Sequence, residues 1–423
     1  MKVAGLFAGV GGIELGLSRE GFETGMLCEF DAAAQEVLRE RFPDIQLASD
    51  VRELKRLPAG TELVTAGFPC QDLSQAGKTK GIEGERSGLV AEVFRLLRKS
   101  DVPNVLIENV SFMLQLEQGR AMQMVVDRLT ELGYRWAYRV MDSQAFGLPQ
   151  RRQRVYIFAS KELDPTAVLF GSDAGDQTTA VRGTNACGFY WTEGERGLGW
   201  AIDAVPTLKG GSTIGIPSPP AIWTPDGKIV TPEIRDVERM QGFPVDWTKP
   251  TARVARESFR WKQMGNAVSV PVASWIGRQI NRPTKLRLPI GAEVVRDRRW
   301  PTAAALIDGK AMTVQASMWP VAFKRDSLAD FLRFPTKPLS VRATLGFLQR
   351  LHKGQLNLPE GLLDAIEAHL RLMGGSPPPR PSRTERAANA AQLRERKKIA
   401  SKKARTRHRK NAATTSTPSL FAP

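Results

Sequence analysis

The chain has 423 residues, of which 42% are hydrophobic and 25% are charged, and its formal net charge is +17. That length predicts two or three domains, and the lack of any transmembrane-length apolar run or signal-peptide pattern predicts a cytoplasmic protein with no membrane partner. The excess of basic residues predicts a polyanionic partner, above all nucleic acid.

Residues 1–160 alternate strand and helix patterns. The segments KVAGLFAG and TGMLCEF predict the first two strands, and the helical pattern IELGLSRE lies between them. Asp31 can cap the following helix, AAAQEVLRERF, and apolar runs at 45–48, 63–68 and 105–107 predict further strands. Strands separated by helices are typical of a doubly wound α/β sheet with parallel strands.

Composition divides the rest of the chain. Residues 161–232 are rich in glycine and lack helical periodicity, so we predict loops and short strands there. Regular patterns return at 233–284, a second part of the domain begun by 1–160. They occur again in a C-terminal extension at 285–374, where SLADFLRF and EGLLDAIEAHLRL predict helices. The extension has no metal or nucleophile motif, which favours a DNA-binding or structural role.

The C-terminal tail, 375–423, is strongly basic. From Ser376 to Pro423 it has 13 Lys or Arg residues against two Glu, a net charge of +11 that leaves +6 for the preceding residues. This composition predicts a disordered or transiently helical segment. Such a tail can be a solubilising end or can bind phosphates without regard to sequence, and the composition leaves both roles open.

The first predicted strand runs into the glycine-rich turn of LFAGVGGIELG. Such a turn can bind a nucleotide-like cofactor, because glycine lets the backbone approach a ligand closely. The dinucleotide fingerprint requires a third glycine where Glu14 stands, so the pattern argues against a pyrophosphate ligand. By itself the motif fits a plain tight turn equally well.

Two acids follow at the ends of the next two predicted strands. Glu29 could accept hydrogen bonds from both hydroxyls of a ribose, and Asp50 could accept one from an adenine amino group. Either residue alone is typical of a surface carboxylate. On consecutive strand ends beside the glycine turn, they predict a pocket for an adenosyl cofactor.

Cys70 and Glu108 end the fourth and fifth predicted strands, where they can face each other across a cleft. A cysteine at a strand end is typically a small buried hydrophobe, and the three cysteines match no zinc or disulfide pattern. A Cys–His hydrolase is disfavoured because all three histidines lie in the C-terminal quarter. A thiolate that adds to an electron-poor ring, with a carboxyl group supplying a proton, requires no histidine.

The segment PQRRQRVYIF places Gln150, Arg152 and Arg154 directly before a predicted strand. Alternate residues of an extended segment point to one side, so these side chains could face an anionic substrate together. The alternative is an ordinary solvated basic run.

The order of FAGVGG, GFPCQ, ENV, PQRRQR, VERMQGFP and QMGNAVSVPVA resembles that of the cytosine-5 DNA methyltransferases of bacteria and phages. The resemblance runs from Lys2 to about Arg278, roughly two thirds of the chain, and six motifs in one order leave little room for coincidence. It implies a Rossmann-like methyltransferase domain that uses S-adenosylmethionine and acts on duplex DNA as a monomer. A cognate restriction endonuclease can accompany such an enzyme.

The resemblance also implies a role for each matching residue, and it implies no metal ligand. The implied catalytic residues are Cys70, Glu108, Asn109, Gln150, Arg152 and Arg154. The implied S-adenosylmethionine residues are Phe7, Gly9, Gly11, Glu29, Phe30, Asp50, Val51, Pro69, Leu89, Asn266 and Val268. The implied DNA contacts are Gln71, Ser74, Thr207 and Leu208.

The implied chemistry explains the cysteine. Carbon 5 of cytosine is a poor nucleophile until a group adds at carbon 6, and a thiol with an ordinary pKa of about 8.5 suits that addition. Glu108 would protonate or hydrogen-bond ring nitrogen 3, while Arg152 and Arg154 stabilise the addition state. Because a stacked base is inaccessible, the cytosine would be flipped out of the duplex, and the polar segment after Cys70 could close over it.

In this family the target sequence is read by the segment between the two parts of the catalytic domain, which corresponds here to 161–232. Within VPTLKGG, Thr207 and Leu208 resemble a Thr-Leu element of that region. Several aromatic residues of the region could contact DNA or form the core of a small domain: Tyr190, Trp191, Trp200 and Trp223.

Three other functions stay open at this point. An RNA cytosine-5 methyltransferase shares these motifs on the same fold, but the recognition region and basic tail favour DNA. A catalytically silent DNA-binding protein is disfavoured by the intact catalytic residues. A flavin or nicotinamide oxidoreductase is disfavoured by Glu14 in the glycine turn.

Overall fold

The computed structural model describes residues 1–69, 88–178, 181–195, 197–211, 218–285, 288–354, 356–382 and 385. Strands and helices alternate in the first part of the chain, as the sequence predicts. The strands there are β1 (Lys2–Leu6), β2 (Glu23–Cys28), β3 (Gln46–Ala48), β4 (Leu63–Ala66), β5 (Asn104–Val110), β6 (Arg135–Asp142), β7 (Gln150–Arg151) and β8 (Gln153–Ser160). The helices are α1 (Gly12–Ser18), α2 (Ala32–Arg41), α3 (Leu89–Arg98) and α4 (Arg120–Glu131).

The later part of the chain contains shorter elements. Its strands are β9 (Cys187–Phe189), β10 (Ala201–Ile202), β11 (Val205–Pro206), β12 (Ala221–Trp223), β13 (Ile229–Thr231), β14 (Ile290–Glu293), β15 (Ala303–Ile307), β16 (Lys310–Val314) and β17 (Lys337–Pro338). Its helices are α5 (Pro165–Leu169), α6 (Ile234–Met240), α7 (Phe259–Asn266), α8 (Val270–Asn281), α9 (Leu328–Phe331), α10 (Val341–Lys353) and α11 (Leu362–Leu372). None of the helices in the described segments combines the length and the apolar composition that a bilayer crossing requires.

The central sheet is mixed. Strands β3, β2, β1, β4 and β5 are neighbours in that order and run parallel. The next strand, β8, pairs antiparallel with both β5 and β6. The prediction of a doubly wound α/β fold is confirmed, but the prediction of a wholly parallel sheet is wrong. The reason is the short link between β6 and β8, residues 143–152, because a parallel connection requires about a dozen residues or more.

Helices pack on both faces of this sheet. On one face, side chains of α3 and α4 pack with Val105 and Ile107 of β5. On the other face, side chains of α1, α5 and α8 pack with Leu106 of the same strand. Helix α8 comes late in the sequence and lies against α1, where a Cβ on Gly16 would be only 2.5 Å from the Cβ of Ala273. Residues 233–284 therefore return to the domain begun by 1–160.

The first part of the C-terminal extension adds strands to the same sheet. Strand β15 pairs antiparallel with β6, and β16 and β14 follow outward, so the sheet has ten strands within the described residues. The indole ring of Trp300 packs against Trp136 and Tyr138 of β6. The Tyr138 hydroxyl donates a hydrogen bond to Pro301 O at 2.9 Å. Strands β14, β15 and β16 are thus part of the same sheet as β1–β6 and β8.

The described chain divides into two compact units. The first comprises Met1–Phe189, Gly199–Asp226 and Val230–Pro338, and the second comprises Tyr190–Leu198, Gly227–Ile229 and the described residues from Leu339 on. Within the second unit, the ring of His369 on α11 makes a 2.8 Å hydrogen bond to Leu339 O. The predicted extension 285–374 is therefore not one structural unit, since the division falls after Pro338.

Candidate active site

A cavity of about 640 Å³ lies at the carboxyl ends of β1, β2, β4 and β5. Parallel strands end at one edge of a sheet, so the residues that follow each strand meet there. Its volume is within the range of about 300–1,000 Å³ that is typical of small-molecule sites. The predicted site residues that line it are Phe7, Gly9, Glu29, Phe30, Asp50, Val51, Pro69, Leu89, Glu108, Asn109, Arg152, Arg154 and Asn266. The structure thus brings the predicted cofactor and base residues to one cavity.

The carboxylate of Glu29 is fixed by backbone donors on both sides. The N–H of Gly9 donates to Oε2 at 2.7 Å, and the N–H of Asp31 donates to Oε1 at 2.8 Å. Burial raises the pKa of Glu29 above its ordinary value, and these two hydrogen bonds oppose that rise. A carboxylate oxygen has a second lone pair, so each oxygen can still accept a hydrogen bond from a ligand hydroxyl.

Phe30 and Asp50 form the neighbouring wall. The Phe30 side chain is 73% exposed, which is unusual for so large an apolar group and leaves a ring face open to a planar ligand. Arg52 Nη2 donates to Asp50 Oδ2 at 2.5 Å, and this hydrogen bond lowers the pKa of the Asp50 carboxyl. Asp50 therefore presents an ionised acceptor to the cavity.

Two glycines of the glycine-rich turn, Gly9 and Gly11, are predicted as cofactor residues, and their surroundings differ. Gly9 lines the cavity and has a φ of +56°. Gly11 does not line it, although the sequence predicts it as a cofactor residue. Its φ is +79°, and a Cβ there would be 2.5 Å from the ring of Phe42, so backbone conformation and packing against α2 account for this glycine.

Glu14, the departure from the dinucleotide fingerprint, points into the domain. Its side chain is 1% exposed and accepts a hydrogen bond from Thr65 Oγ1 at 2.8 Å. Burial raises the pKa of Glu14 to about 7. This acid is therefore an interior partner of β4, outside the cavity lining.

Glu108 and Arg154 lie at the part of the cavity that is predicted to hold the cytosine base. Arg154 Nε lies 3.1 Å from Glu108 Oε1, and both side chains are nearly buried. Burial raises the pKa of Glu108 above its ordinary value, even though Arg154 and Arg152 act to lower it. A carboxyl group in this setting keeps its proton to a higher pH than an exposed glutamate does.

Asn109 connects the ends of two strands. Its Nδ2 donates to Phe68 O at 3.0 Å, and its Oδ1 accepts from Val110 N at 2.9 Å. The side chain is 3% exposed. Asn109 therefore fixes the segment that leads into Pro69 against β5.

Gln150 does not line the cavity with Arg152 and Arg154, although the sequence predicts that the three side chains face the substrate together. Gln150 is fully buried, donates to Met240 O at 2.9 Å and accepts from Leu208 N at 3.1 Å. Arg152 donates to the carbonyls of Ala267 at 2.7 Å and Gly265 at 3.2 Å. The extended segment is divided between β7 and β8 at Arg152, and its inward side chains bind late backbone segments.

Three other predicted residues, Thr207, Leu208 and Val268, lie outside the cavity lining. Leu208 is 4% exposed and belongs to a hydrophobic core, so its side chain is not open to DNA. Thr207 Oγ1 donates to Arg151 O at 2.9 Å. Val268 packs against the core of the sheet. Cys70, Gln71 and Ser74 fall outside the described residues.

Besides Arg52, which pairs with Asp50, the sequence analysis missed a second basic residue of the cavity lining, Lys262. Its Nζ lies 2.9 Å from Asp31 Oδ2 at the start of α2. The available signal was its position directly before the motif QMGNAVSVPVA.

Comparison with known proteins gives the family. The sequence model of the C-5 cytosine-specific DNA methylases matches residues 1–179 and 228–282. Type II methyltransferase M2.BsuMI of Bacillus subtilis (strain 168) is 45% identical over 381 residues, 87% of this chain and 97% of that protein. Type II methyltransferase M.BsuFI of Bacillus subtilis is 28% identical over 63% of this chain and 69% of that protein. Among solved structures, the S. pombe Dnmt2 methyltransferase covers 66% of this chain and 98% of its own at 17% identity and a TM-score of 0.48.

The two matched segments together make up more than half of the chain, and they contain the strand ends that line the cavity. The unmatched residues between them, 180–227, lie within the predicted recognition region. The similarity to M2.BsuMI extends over most of both chains. The chain therefore belongs to the C-5 cytosine-specific DNA methylase family and is a DNA cytosine-5 methyltransferase.

Proposed function

We propose that the protein transfers a methyl group from S-adenosylmethionine to carbon 5 of a cytosine flipped out of one specific duplex sequence, through a covalent bond to Cys70. The observation that carries the proposal is the single cavity that Glu108 and Arg154 share with Glu29 and Asp50. Transfer requires the base and the methyl donor in contact, so their binding groups must border the same space.

The donor-side residues fit S-adenosylmethionine. The two fixed oxygens of Glu29 suit the two ribose hydroxyls, Phe30 offers a ring face to the adenine, and Asp50 offers an acceptor for the adenine amino group. When bound, S-adenosylmethionine supplies an electrophilic methyl group.

On the base, the thiolate of Cys70 forms a bond to carbon 6. Glu108 gives its proton to ring nitrogen 3 as the displaced electron pair moves through the ring, and carbon 5 becomes nucleophilic. Arg154 stabilises the charge of this addition state. After carbon 5 has taken the methyl group, it loses its proton to solvent, the ring double bond re-forms and the sulfur leaves carbon 6. Nitrogen 3 returns its proton to Glu108.

The relatives' names support a role in a restriction-modification system. M2.BsuMI and M.BsuFI are both named type II methyltransferases. We infer that this chain, too, works beside a restriction endonuclease that cuts the same sequence. We also propose that the protein acts on DNA as a monomer.

The function is tested by expressing the protein in a bacterium that lacks cytosine methylation and mapping 5-methylcytosine by bisulfite sequencing. We expect the modified base at one short duplex sequence throughout the genome. Modified cytosine in the host's tRNA with none in its DNA would instead assign an RNA substrate.

Asp50→Ala is expected to weaken S-adenosylmethionine binding by about 1–3 kcal/mol, the usual cost of leaving a buried polar partner unpaired. Isothermal calorimetry measures the change. Asp44→Ala, at an exposed position outside the cavity lining, is the matched control and should bind as the parent does. Unchanged affinity in Asp50→Ala would remove Asp50 from the donor site.

Truncation after Ser382 is expected to weaken binding to all duplex sequences alike. It removes 12 Lys or Arg residues and two Glu, but it keeps Arg380, which donates to Glu367 on α11 at 2.7 Å. If about four basic residues contact phosphates, the slope of log affinity against log salt should flatten by roughly 3.6. Titrations at several salt concentrations measure this slope. Identical slopes would make the tail a solubilising end, and a changed target site would mean that it reads bases.

A further inference from the structure

The turn between β10 and β11 is bound both from within the recognition region and from outside it. Within the region, Asp203 N donates to Ala186 O at 2.8 Å and Gly188 N donates to Ala204 O at 3.0 Å. Each of the turn's strands has only two residues, and Asp203 in the turn has a φ of +49°, the left-handed conformation that a non-glycine residue adopts at a cost. Strands this short supply few ladder hydrogen bonds of their own. Groups from outside the region add to these hydrogen bonds.

Those groups come from residues 325–328, in the C-terminal extension. Arg325 Nη1 donates to Asp203 O at 2.6 Å and lies 2.8 Å from Asp203 Oδ2. The N–H of Leu328 donates to Asp203 Oδ1 at 2.7 Å. Arg325 and Asp203 are 18% and 16% exposed, so the ion pair is largely shielded from water. Both carboxylate oxygens and the carbonyl of one turn residue are thus bound by the extension.

The same turn leads directly to residues 150–154, which contain the predicted catalytic residues Gln150, Arg152 and Arg154 and are called the catalytic segment below. Strand β11 pairs in parallel with β7, with Val205 opposite Gln150. Two residues after β11 ends, Leu208 N donates to Gln150 Oε1 at 3.1 Å, and Leu208 O accepts from Arg152 Nη1 at 3.4 Å. A continuous series of contacts therefore runs from Arg325 through the turn to Arg152, which lines the cavity.

Residues 323–328 also contact the part of the chain that precedes β7. Phe323 N donates to Ala145 O at 3.0 Å, and the Phe323 ring packs edge-on against Phe146 at 6.4 Å. Residues 145 and 146 lie just before β7 on the chain. One short part of the extension thus contacts the segments leading into both β7 and β11.

We propose that Arg325 is a positioning residue for DNA recognition, which holds the β10–β11 turn so that Thr207 and Leu208 lie correctly against the catalytic segment. Both Asp203 and Arg325 lie outside the segments matched by the family's sequence model. The inference rests on the proposed function, because it assigns Arg325 a part in binding the DNA substrate of that reaction.

The test compares Arg325→Ala, Arg325→Lys and the control Arg296→Ala. Among the described residues, the Arg296 guanidinium makes an exposed 3.5 Å ion pair with Asp127. The substrate is plasmid DNA from a host without cytosine methylation, with labelled S-adenosylmethionine. We expect Arg325→Ala to raise the KM for DNA by about tenfold, since it removes a shielded charged hydrogen bond. The dissociation constant for S-adenosylmethionine and the Tm should stay near those of the parent. Arg325→Lys should recover part of the DNA affinity, because a lysine can still donate to Asp203.

Two outcomes would overturn the inference. One is a parental KM for DNA in Arg325→Ala, and the other is an equal loss of cofactor and DNA affinity with a lowered Tm, which indicates a general loss of structure. If Arg325→Ala does not fold, Asp203→Asn replaces it, since asparagine tolerates the left-handed φ and keeps an acceptor for Leu328 N. Its KM for DNA should also rise, and a parental value would count against the inference. An inactive parent protein would instead reject the proposed function.

Discussion

Replacing Cys70 by alanine is expected to abolish methyl transfer while duplex DNA still binds. Carbon 5 of cytosine becomes nucleophilic only when a group has added at carbon 6, and alanine has no atom that can make that bond. The charged groups that would contact DNA belong to other parts of the chain. We therefore expect the loss in turnover, and the dissociation constant for S-adenosylmethionine should stay near its parental value.

No other cysteine can take over the reaction. Cys28 lies in β2 and Cys187 in β9, and both are buried. Burial raises the pKa of the Cys28 thiol to about 12 and raises that of Cys187 as well. The thiolate is the nucleophilic form, so neither residue offers a useful nucleophile near neutral pH.

A duplex that contains 5-fluorocytosine at the target site measures the covalent step directly. Fluorine cannot leave carbon 5 as a proton does, so the parent enzyme should remain bonded to the DNA on a denaturing gel. Cys70→Ala should form no such adduct. Cys187→Ala, the matched control, should still form it, because its thiol lies buried in β9. Methylation by Cys70→Ala at even a few per cent of the parental rate would contradict the covalent mechanism.

The sequence located the cavity because strand ends are visible in hydrophobic patterns. Glu29, Asp50 and Glu108 each follow an apolar run, and the rule that parallel strands end at one edge brings them together. The capping of α2 by Asp31 could be predicted from local chemistry, and its side chain indeed accepts from Ala33 N and Ala34 N.

The direction in which side chains point was harder to predict. The two-residue period of a strand correctly groups alternate positions, but it does not say which group faces the ligand. Gln150 is turned inward by Met240 O, a partner that stands 90 residues later in the chain. Local sequence contains no sign of so distant a partner.

The extension was unpredictable for a similar reason. Strand β15 joins the sheet by pairing Ala304 with Tyr138, more than 160 residues earlier. The apolar pattern of residues 303–307 is equally typical of a strand in a separate domain. The predicted helix SLADFLRF shortens to Leu328–Phe331, because the segment instead lies along other parts of the domain, with Arg333 N and Phe334 N donating to the buried carboxylate of Asp236. Such long-range contacts override local helical propensity.

Glu108→Gln is expected to slow turnover by about 10²–10⁴-fold, the usual contribution of a positioned proton donor. Glutamine keeps the shape of the side chain and its place near Arg154, but it cannot give a proton to ring nitrogen 3. The dissociation constant for S-adenosylmethionine should be unchanged, because Glu108 is assigned to the base.

The pH dependence of turnover distinguishes proton donation from a purely structural part. Burial raises the pKa of Glu108 above its ordinary value, so the protonated form persists to higher pH than in an exposed glutamate. Activity that needs this proton is present below that pKa and falls as the pH rises through it. In Glu108→Gln that descending limb should be absent, since the amide does not titrate.

Glu131→Gln is the matched control, because the Glu131 side chain is 59% exposed on α4 and pairs only with Arg128 on the same helix among the described residues. It should keep both the rate and the pH profile of the parent. A Glu108→Gln enzyme that is slow but retains the parental descending limb would assign that limb to another group. Glu108 would then act as a hydrogen-bonding residue, and the proton for nitrogen 3 would have to come from solvent. Parental turnover in Glu108→Gln would remove the carboxyl group from the mechanism altogether, and the pairing of Glu108 with Arg154 would be a structural contact at the wall of the cavity.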